Sequence, residues 1–162
     1  NYDGLAADTL PQAYPFALFD HSRAAEADAA WQPRVIAISL GTNDFSTALH
    51  PGERWATREQ LREDYEASFV RFVDELRQRH PDAYVLLWIA AAEGSEVQAE
   101  VARVAERLRA SGHARIGFVP VTGLAMTGCH HHPSADDDRR VAEALIRHLD
   151  GQRELWGAAG AD

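Results

Sequence analysis

Two short stretches carry residue types that can do chemistry together. Gly41-Thr42-Asn43-Asp44 follows an apolar run, and His130-His131-His132-Pro133-Ser134 precedes the last helical stretch. A side-chain amide such as that of Asn43 can donate to an oxygen that becomes negative during a reaction. A histidine titrates near neutrality and can take a proton from a hydroxyl nucleophile. Asn43 has a second reading as a turn residue whose side chain bonds its own backbone, and that reading suits Asp44 better. Of the three histidines, His132 is the best base, because Pro133 restricts its backbone and a capped helix starts just beyond. His130 and His131 are expected at the surface.

Three adjacent histidines also suggest a metal. Consecutive side chains point in different directions, whereas zinc ligands sit at helical or turn spacing with a further ligand from elsewhere. Catalysis by His132 is therefore favoured over a metal centre at His130 to His132. Cys129, the single cysteine, has the type of a nucleophile beside its histidines, but a lone cysteine is more often a small buried apolar residue, and that is the expectation. Trp31, Trp55, Trp88 and Trp156 suit a core. Trp55, in a polar loop, equally suits stacking on a sugar ring.

The elements that must position these residues alternate. Val35 to Leu40 is an apolar run closed by Gly41, which reads as a strand buried on both faces. Thr57 to Gln60 fits a capping box, and Leu61, Tyr65, Phe69, Phe72, Val73 and Leu76 follow at helical spacing up to His80-Pro81. Tyr84 to Ala91 is the second apolar run. Ser95 to Gln98 is another capping box, leading into Val97, Val101, Val104 and Leu108, with Gly112 as the stop. Ile116 to Val121 is the third strand, and Gly123 to Pro133 is a loop. Ser134 caps a final helix with Asp136, Asp137 and Asp138 in its first turn, where the macrodipole favours anions. Val141, Leu145, Ile146 and Leu149 are expected to face inward, and Gly151 ends the helix. Ser22 to Ala30 suits one more short helix. Alternating strands and helices predict a parallel sheet covered on both faces. Chemistry then collects beyond the carboxyl ends of the strands, so Asn43 and His132 are expected at one end of the sheet.

The chain has 162 residues, enough for one domain with a proper core. The body is expected over residues 1–150, with a frayed tail over 151–162. A net charge of −9 argues against nucleic acid or an anionic membrane as a partner. No apolar run is long enough to span a membrane as a helix. The chain opens on Asn1-Tyr2-Asp3-Gly4, which is neither a starter methionine nor a signal peptide.

Gly41-Thr42-Asn43-Asp44 resembles block III of the SGNH (GDSL-type) hydrolases, and His132-Pro133-Ser134 resembles the end of their block V. The longer strings Leu40 to Ser46 and Gly128 to Ser134 are most similar to carbohydrate esterase family 2, the acetylxylan esterase-like group. Asn1-Tyr2-Asp3-Gly4 resembles the segment just after that group's block II. The resemblance runs to about Leu149. It implies a flavodoxin-like three-layer α/β/α sandwich with its N-terminal strands missing from this chain. It implies a serine esterase acting on acetylated carbohydrate without a cofactor or metal, secreted or periplasmic. His132 is then the base and Asn43 the oxyanion donor, with Gly41, Asp44 and His130 supporting the site or binding substrate.

The sequence departs from the family pattern twice. The Gly-Asp-Ser block with its nucleophile and the block II glycine have no match, so both are expected upstream, in a missing N-terminal segment of the same protein. The acid that often orients the histidine falls at Cys129 or His130, which leaves a backbone carbonyl or an unmatched acid as orienter. The rival readings are a non-catalytic carbohydrate-binding or structural remnant of the fold and, below it, a metal-dependent hydrolase.

Overall fold

A computed structural model describes residues 9–16 and 31–156. The helix expected over 22–30 lies outside the described residues. In chain order the elements are a short helix α1 (Leu10–Ala13), strand β1 (Val35–Ile38), a one-turn helix α2 (Thr42–Phe45), α3 (Arg58–Arg79), β2 (Tyr84–Ala90), α4 (Glu96–Ala110), β3 (Ile116–Val121) and α5 (Ala135–Asp150). The described strands form one parallel sheet in the order β1-β2-β3. β1 pairs with β2 from Val35↔Tyr84 to Ile38↔Leu87, and β2 pairs with β3 from Val85↔Ile116 to Ala90↔Val121.

β2 is the central strand, and its alternating side chains feed two cores. Val85, Leu87 and Ile89 pack with Tyr65, Phe69, Phe72, Val73 and Leu76 of α3 and with Val101, Val104 and Leu108 of α4. Tyr84 and Leu86 face the other way, against Val119, Val121 and the Val141, Leu145 and Leu149 stripe of α5. The result is three layers, α3 and α4 on one side and α5 on the other. Leu61, Leu76, Leu86, Leu87, Ile89 and Leu108 are fully buried, each worth about 1.5–3 kcal/mol relative to exposure.

Several local expectations need correction. β1 stops at Ile38 and is not buried on both faces: Ala37 is exposed, Val35 and Ile36 are half-buried, and only Ile38 is buried. The cause is its place at the edge of the described sheet. Ile146 is 56% exposed. Val141, Leu145 and Leu149 repeat every four residues, and Ile146 is about 100° round the helix from that stripe. The Ser95 box does not close, because the Gly94 amide takes Gln98 Oε1 at 2.6 Å while Ser95 Oγ is buried without a partner. At α3, Thr57 Oγ1 accepts from the Gln60 amide at 3.2 Å, but Gln60 Oε1 takes the Ala56 amide, one residue further upstream. Trp31 and Trp156 are exposed rather than core. The tail expected from residue 151 begins with a 3₁₀ turn, Arg153–Leu155, that buries Leu155. Its carbonyl accepts from Arg34 Nη1 at 3.2 Å.

Candidate active site

The first candidate stretch leaves the carboxyl end of β1. Gly41 has φ 116°, a left-handed conformation that side chains resist. It is also crowded, because a Cβ there would lie 2.6 Å from the Tyr65 hydroxyl. That hydroxyl donates to the Leu40 carbonyl at 2.9 Å. Burial, then the carboxylates of Asp44, Glu100 and Glu66, push the phenol far above its ordinary range, so it stays a donor. Phe45 packs edge-on against Tyr65 at 4.9 Å. Arg58, the first residue of α3, closes the turn from beyond by donating to the carbonyls of Thr47 and Phe45 at 2.7 and 3.1 Å. Between these supports Asn43 is exposed and Asp44 half-buried. Both line a shallow cleft with Glu53, Trp55 and Arg58. Trp55 is half-buried, its Nε1 donating to Asp64 at 3.1 Å and Arg54 lying 5.1 Å from its ring.

The second stretch follows β3. The Gly128 amide donates to the His132 carbonyl at 2.9 Å, closing a tight loop. A Cβ on Gly128 would lie 2.5 Å from the Pro133 carbonyl oxygen. Inside the loop, Cys129–His131 is a 3₁₀ turn, with His130 at φ 53° and His131 at φ 60°. Non-glycine residues held left-handed cost on the order of 1 kcal/mol or more each, and persist where surrounding bonds impose them. Cys129 is exposed, not buried as its type suggested. The turn leaves its side chain at the surface and turns its carbonyl toward His132, whose amide donates to it at 3.1 Å. That carbonyl lies 2.9 Å from His132 Nδ1. A carbonyl only accepts, so in the neutral ring Nδ1 carries the proton and the exposed Nε2 carries the lone pair.

Asp137 anchors this loop from below and is 1% exposed. Its carboxylate accepts from the Ala125 and Met126 amides at 2.8 and 3.0 Å, and from both the amide and the hydroxyl of Ser134 at 2.9 Å. The backbone amides of Ser134 and Ala125 chiefly hold its carboxyl down, to about 2. Among the three acidic residues at the start of α5, this one completes a capping box with Ser134. The Ser-x-x-Asp spacing was the signal for it. Nothing in the sequence pointed to Arg58, or to Tyr65 as more than core.

Asn43 and His132 sit on loops beyond the carboxyl ends of β1 and β3, which flank β2 in a parallel sheet. The two loops therefore occupy the same end of the sheet, with strand origins roughly 10 Å apart. The lining of the Asn43 cleft does not include His132. His130 and His131 are exposed beside it. Among the described residues no three His, Cys, Asp or Glu side chains gather closely enough to hold a metal ion.

A parallel α/β/α sandwich with these two loops at one end has the SGNH-hydrolase architecture. No family model matches the chain. The chain is 39% identical over 157 residues to an acetylxylan esterase / glucomannan deacetylase of Cellvibrio japonicus, covering 96% of this chain and 43% of that one. It superimposes with a TM-score of 0.87, at 38% identity, on a solved carbohydrate esterase whose active site is described as displaying divergent catalytic and non-catalytic binding functions, covering 92% of this chain and 47% of that one. A family two carbohydrate esterase from Clostridium thermocellum, solved with cellohexaose, shares the fold at a TM-score of 0.80 and 22% identity, over 96% of this chain and 46% of its own. Its homologues and structural neighbours are thus SGNH-type carbohydrate esterases of family 2, the group its motifs resemble. It spans less than half the length of the relatives it matches.

Proposed function

We propose that this chain forms part of a serine carboxylic-ester hydrolase that removes acetyl groups from carbohydrate. The observation that carries the reading is the 2.9 Å contact between His132 Nδ1 and the Cys129 carbonyl, which leaves Nε2 as a free base at the carboxyl end of the sheet. The nucleophilic serine comes from a segment of the same protein outside this chain. Its hydroxyl attacks the acetyl carbon while His132 Nε2 takes the proton, and the Asn43 amide donates to the oxyanion. His132 then returns the proton to the departing sugar oxygen. Water attacks the acyl-serine with the same base, and acetate leaves. The relatives' names support an acetylated polysaccharide as substrate, and a protein acting on such a polymer is secreted or periplasmic in this reading.

The test is acetate release from acetylated xylan by the full-length protein. His132→Ala should lower turnover by about 10²–10⁴-fold with the fold retained. Equal activity of variant and wild type would end the assignment. A second reading, non-catalytic carbohydrate binding by the same cleft, is supported by half-buried Trp55 beside Asn43. It is decided by whether wild-type protein binds cellohexaose but releases no acetate.

A further inference from the structure

We propose that Arg58 is a positioning residue for the Asn43 turn, a clamp on two carbonyls that is itself locked by Glu96; this rests on the reading of Asn43 as oxyanion donor. α2 is a single helical turn, Thr42–Phe45. One turn cannot hold itself, because nucleation fixes several residues for one hydrogen bond. Its geometry must come from outside. At its entry, Tyr65 holds the Leu40 carbonyl. At its exit the Phe45 carbonyl is an orphan acceptor expected where a helix ends, and the Thr47 carbonyl follows just beyond the C-cap Ser46. Arg58 satisfies both, with Nη2 at 3.1 Å and Nη1 at 2.7 Å.

The guanidinium has a third task. Its Nε and Nη2 form a fork on the Glu96 carboxylate, at 3.0 and 2.8 Å to Oε2 and 3.1 Å from Nε to Oε1. Its carbon also lies 5.2 Å from the Phe45 ring centroid. Arg62 Nε holds the same carboxylate from the next turn of α3, at 2.7 Å to Oε1. Glu96 opens α4, where the macrodipole favours its charge. The turn bearing Asn43 is thereby tied to the first turns of both helices that cover one face of the sheet. A planar fork serving two carbonyls and a carboxylate is a geometry lysine cannot reproduce. Asn43 sits between the two supports, and its amide makes no hydrogen bond with the described residues. The side chains of Arg58 and Glu96 are 26% and 28% exposed, so losing this partly buried, bidentate pair also costs stability, and a melting temperature measured for each variant separates that cost from the loss in kcat.

The experiment uses the full-length protein with Arg58→Met, Arg58→Lys, Glu96→Gln, Asn43→Ala and the Asn43→Ala/Arg58→Met pair. Displacing a catalytic group by about 1 Å can cost about 10²-fold. Arg58→Met should lower kcat on acetylated xylan by about 10–100-fold with KM within about twofold, and Arg58→Lys should not restore it. In the Asn43→Ala background Arg58→Met should cost nothing more, because its effect passes through Asn43. Hydrogen exchange of the amides at 43–47 should quicken in Arg58→Met. Multiplying losses in the double variant, or a rise in KM with kcat unchanged, would overturn the proposal. Wild-type protein that releases no acetate would reject the esterase reading instead, and exchange at 43–47 then decides the clamp alone, unchanged rates overturning it. If Arg58→Met does not fold, Glu96→Gln carries the same comparisons.

Discussion

His132 points Nδ1 at the carbonyl oxygen of Cys129, three residues earlier in its own chain, across 2.9 Å. The group that orients the imidazole is therefore main chain, and the side chain at 129 points to solvent. Cys129→Ala should leave kcat/KM of the full-length esterase within about twofold, since a small exposed side chain carries no catalytic contact here. A loss as large as that of His132→Ala would show that the thiol, not the carbonyl, acts on the histidine. His131→Ala should also be mild, since that ring is exposed beside the base.

Asp137 ties both ends of the histidine loop, and its pKa sets when that tie fails. Its folded value of about 2 lies below the ordinary 3.8. A depressed carboxylate contributes stability above its unfolded pKa and loses it as pH falls through the folded one. The stabilisation is thus fully present above roughly pH 4 and disappears toward pH 2. Asp137→Asn should lower the melting temperature at pH 7, and the gap from wild type should close as the pH is brought down from 4 to 2. A gap that stays constant over that range would show that the carboxylate's charge is not what holds the loop.

Gly41 tests the other loop. Alanine there must adopt a left-handed backbone, costing about 1–2 kcal/mol. It must also displace the Tyr65 hydroxyl from 2.6 Å, disturbing a hydrogen bond worth about 1 kcal/mol. Gly41→Ala should therefore destabilise by about 2–3 kcal/mol in denaturant titrations. Tyr65→Phe removes the atom in the way, so the double variant should lose less than the sum of the singles. Strict additivity would mean the clash is not what makes glycine necessary.

The sequence was most legible where one physical signal repeats. Leu61, Tyr65, Phe69, Phe72, Val73 and Leu76 recur at helical spacing, and all six are buried on α3. The three apolar runs became the three parallel strands, and their order placed Asn43 and His132 at one end of the sheet. Single positions were less legible. Ile146 has the type of a core residue but lies beside the stripe, and its exposure depends on where α5 meets the sheet. Cys129 is exposed because a left-handed pair, His130 and His131, turns the backbone there. Local composition does not encode that turn. Arg58 left no trace, since its partners Thr47 and Glu96 are 11 and 38 residues away and meet it only in the fold.

Residues 1–162 expressed alone are expected to show no serine esterase activity. Acyl transfer needs a hydroxyl within hydrogen-bond reach of the base, about 2.6–3.2 Å. Ser134 is the described serine nearest His132 in sequence, and its hydroxyl is committed as the helix cap, donating to Asp137 Oδ2 at 2.9 Å and accepting from the Asp137 amide at 3.2 Å. Ser39 and Ser46 lie on the β1 side of the sheet, where Ser46 Oγ donates to the Asn43 carbonyl at 3.3 Å. Ser95 Oγ is buried at the start of α4. Among the described residues none of these four hydroxyls hydrogen-bonds to His132, whose ring contact is to the Cys129 carbonyl. The edge of β1 offers a further consequence: among the described residues β1 pairs on one side only, and an open parallel edge with Val35 and Ile36 half-buried invites pairing with another chain. The isolated chain is expected to aggregate, or to gain solubility when a segment that pairs with β1 is supplied in trans. The assay is hydrolysis of a small aryl acetate by the purified chain. Turnover abolished by a serine-directed phosphonate would refute the expectation, and the labelled residue would identify the nucleophile.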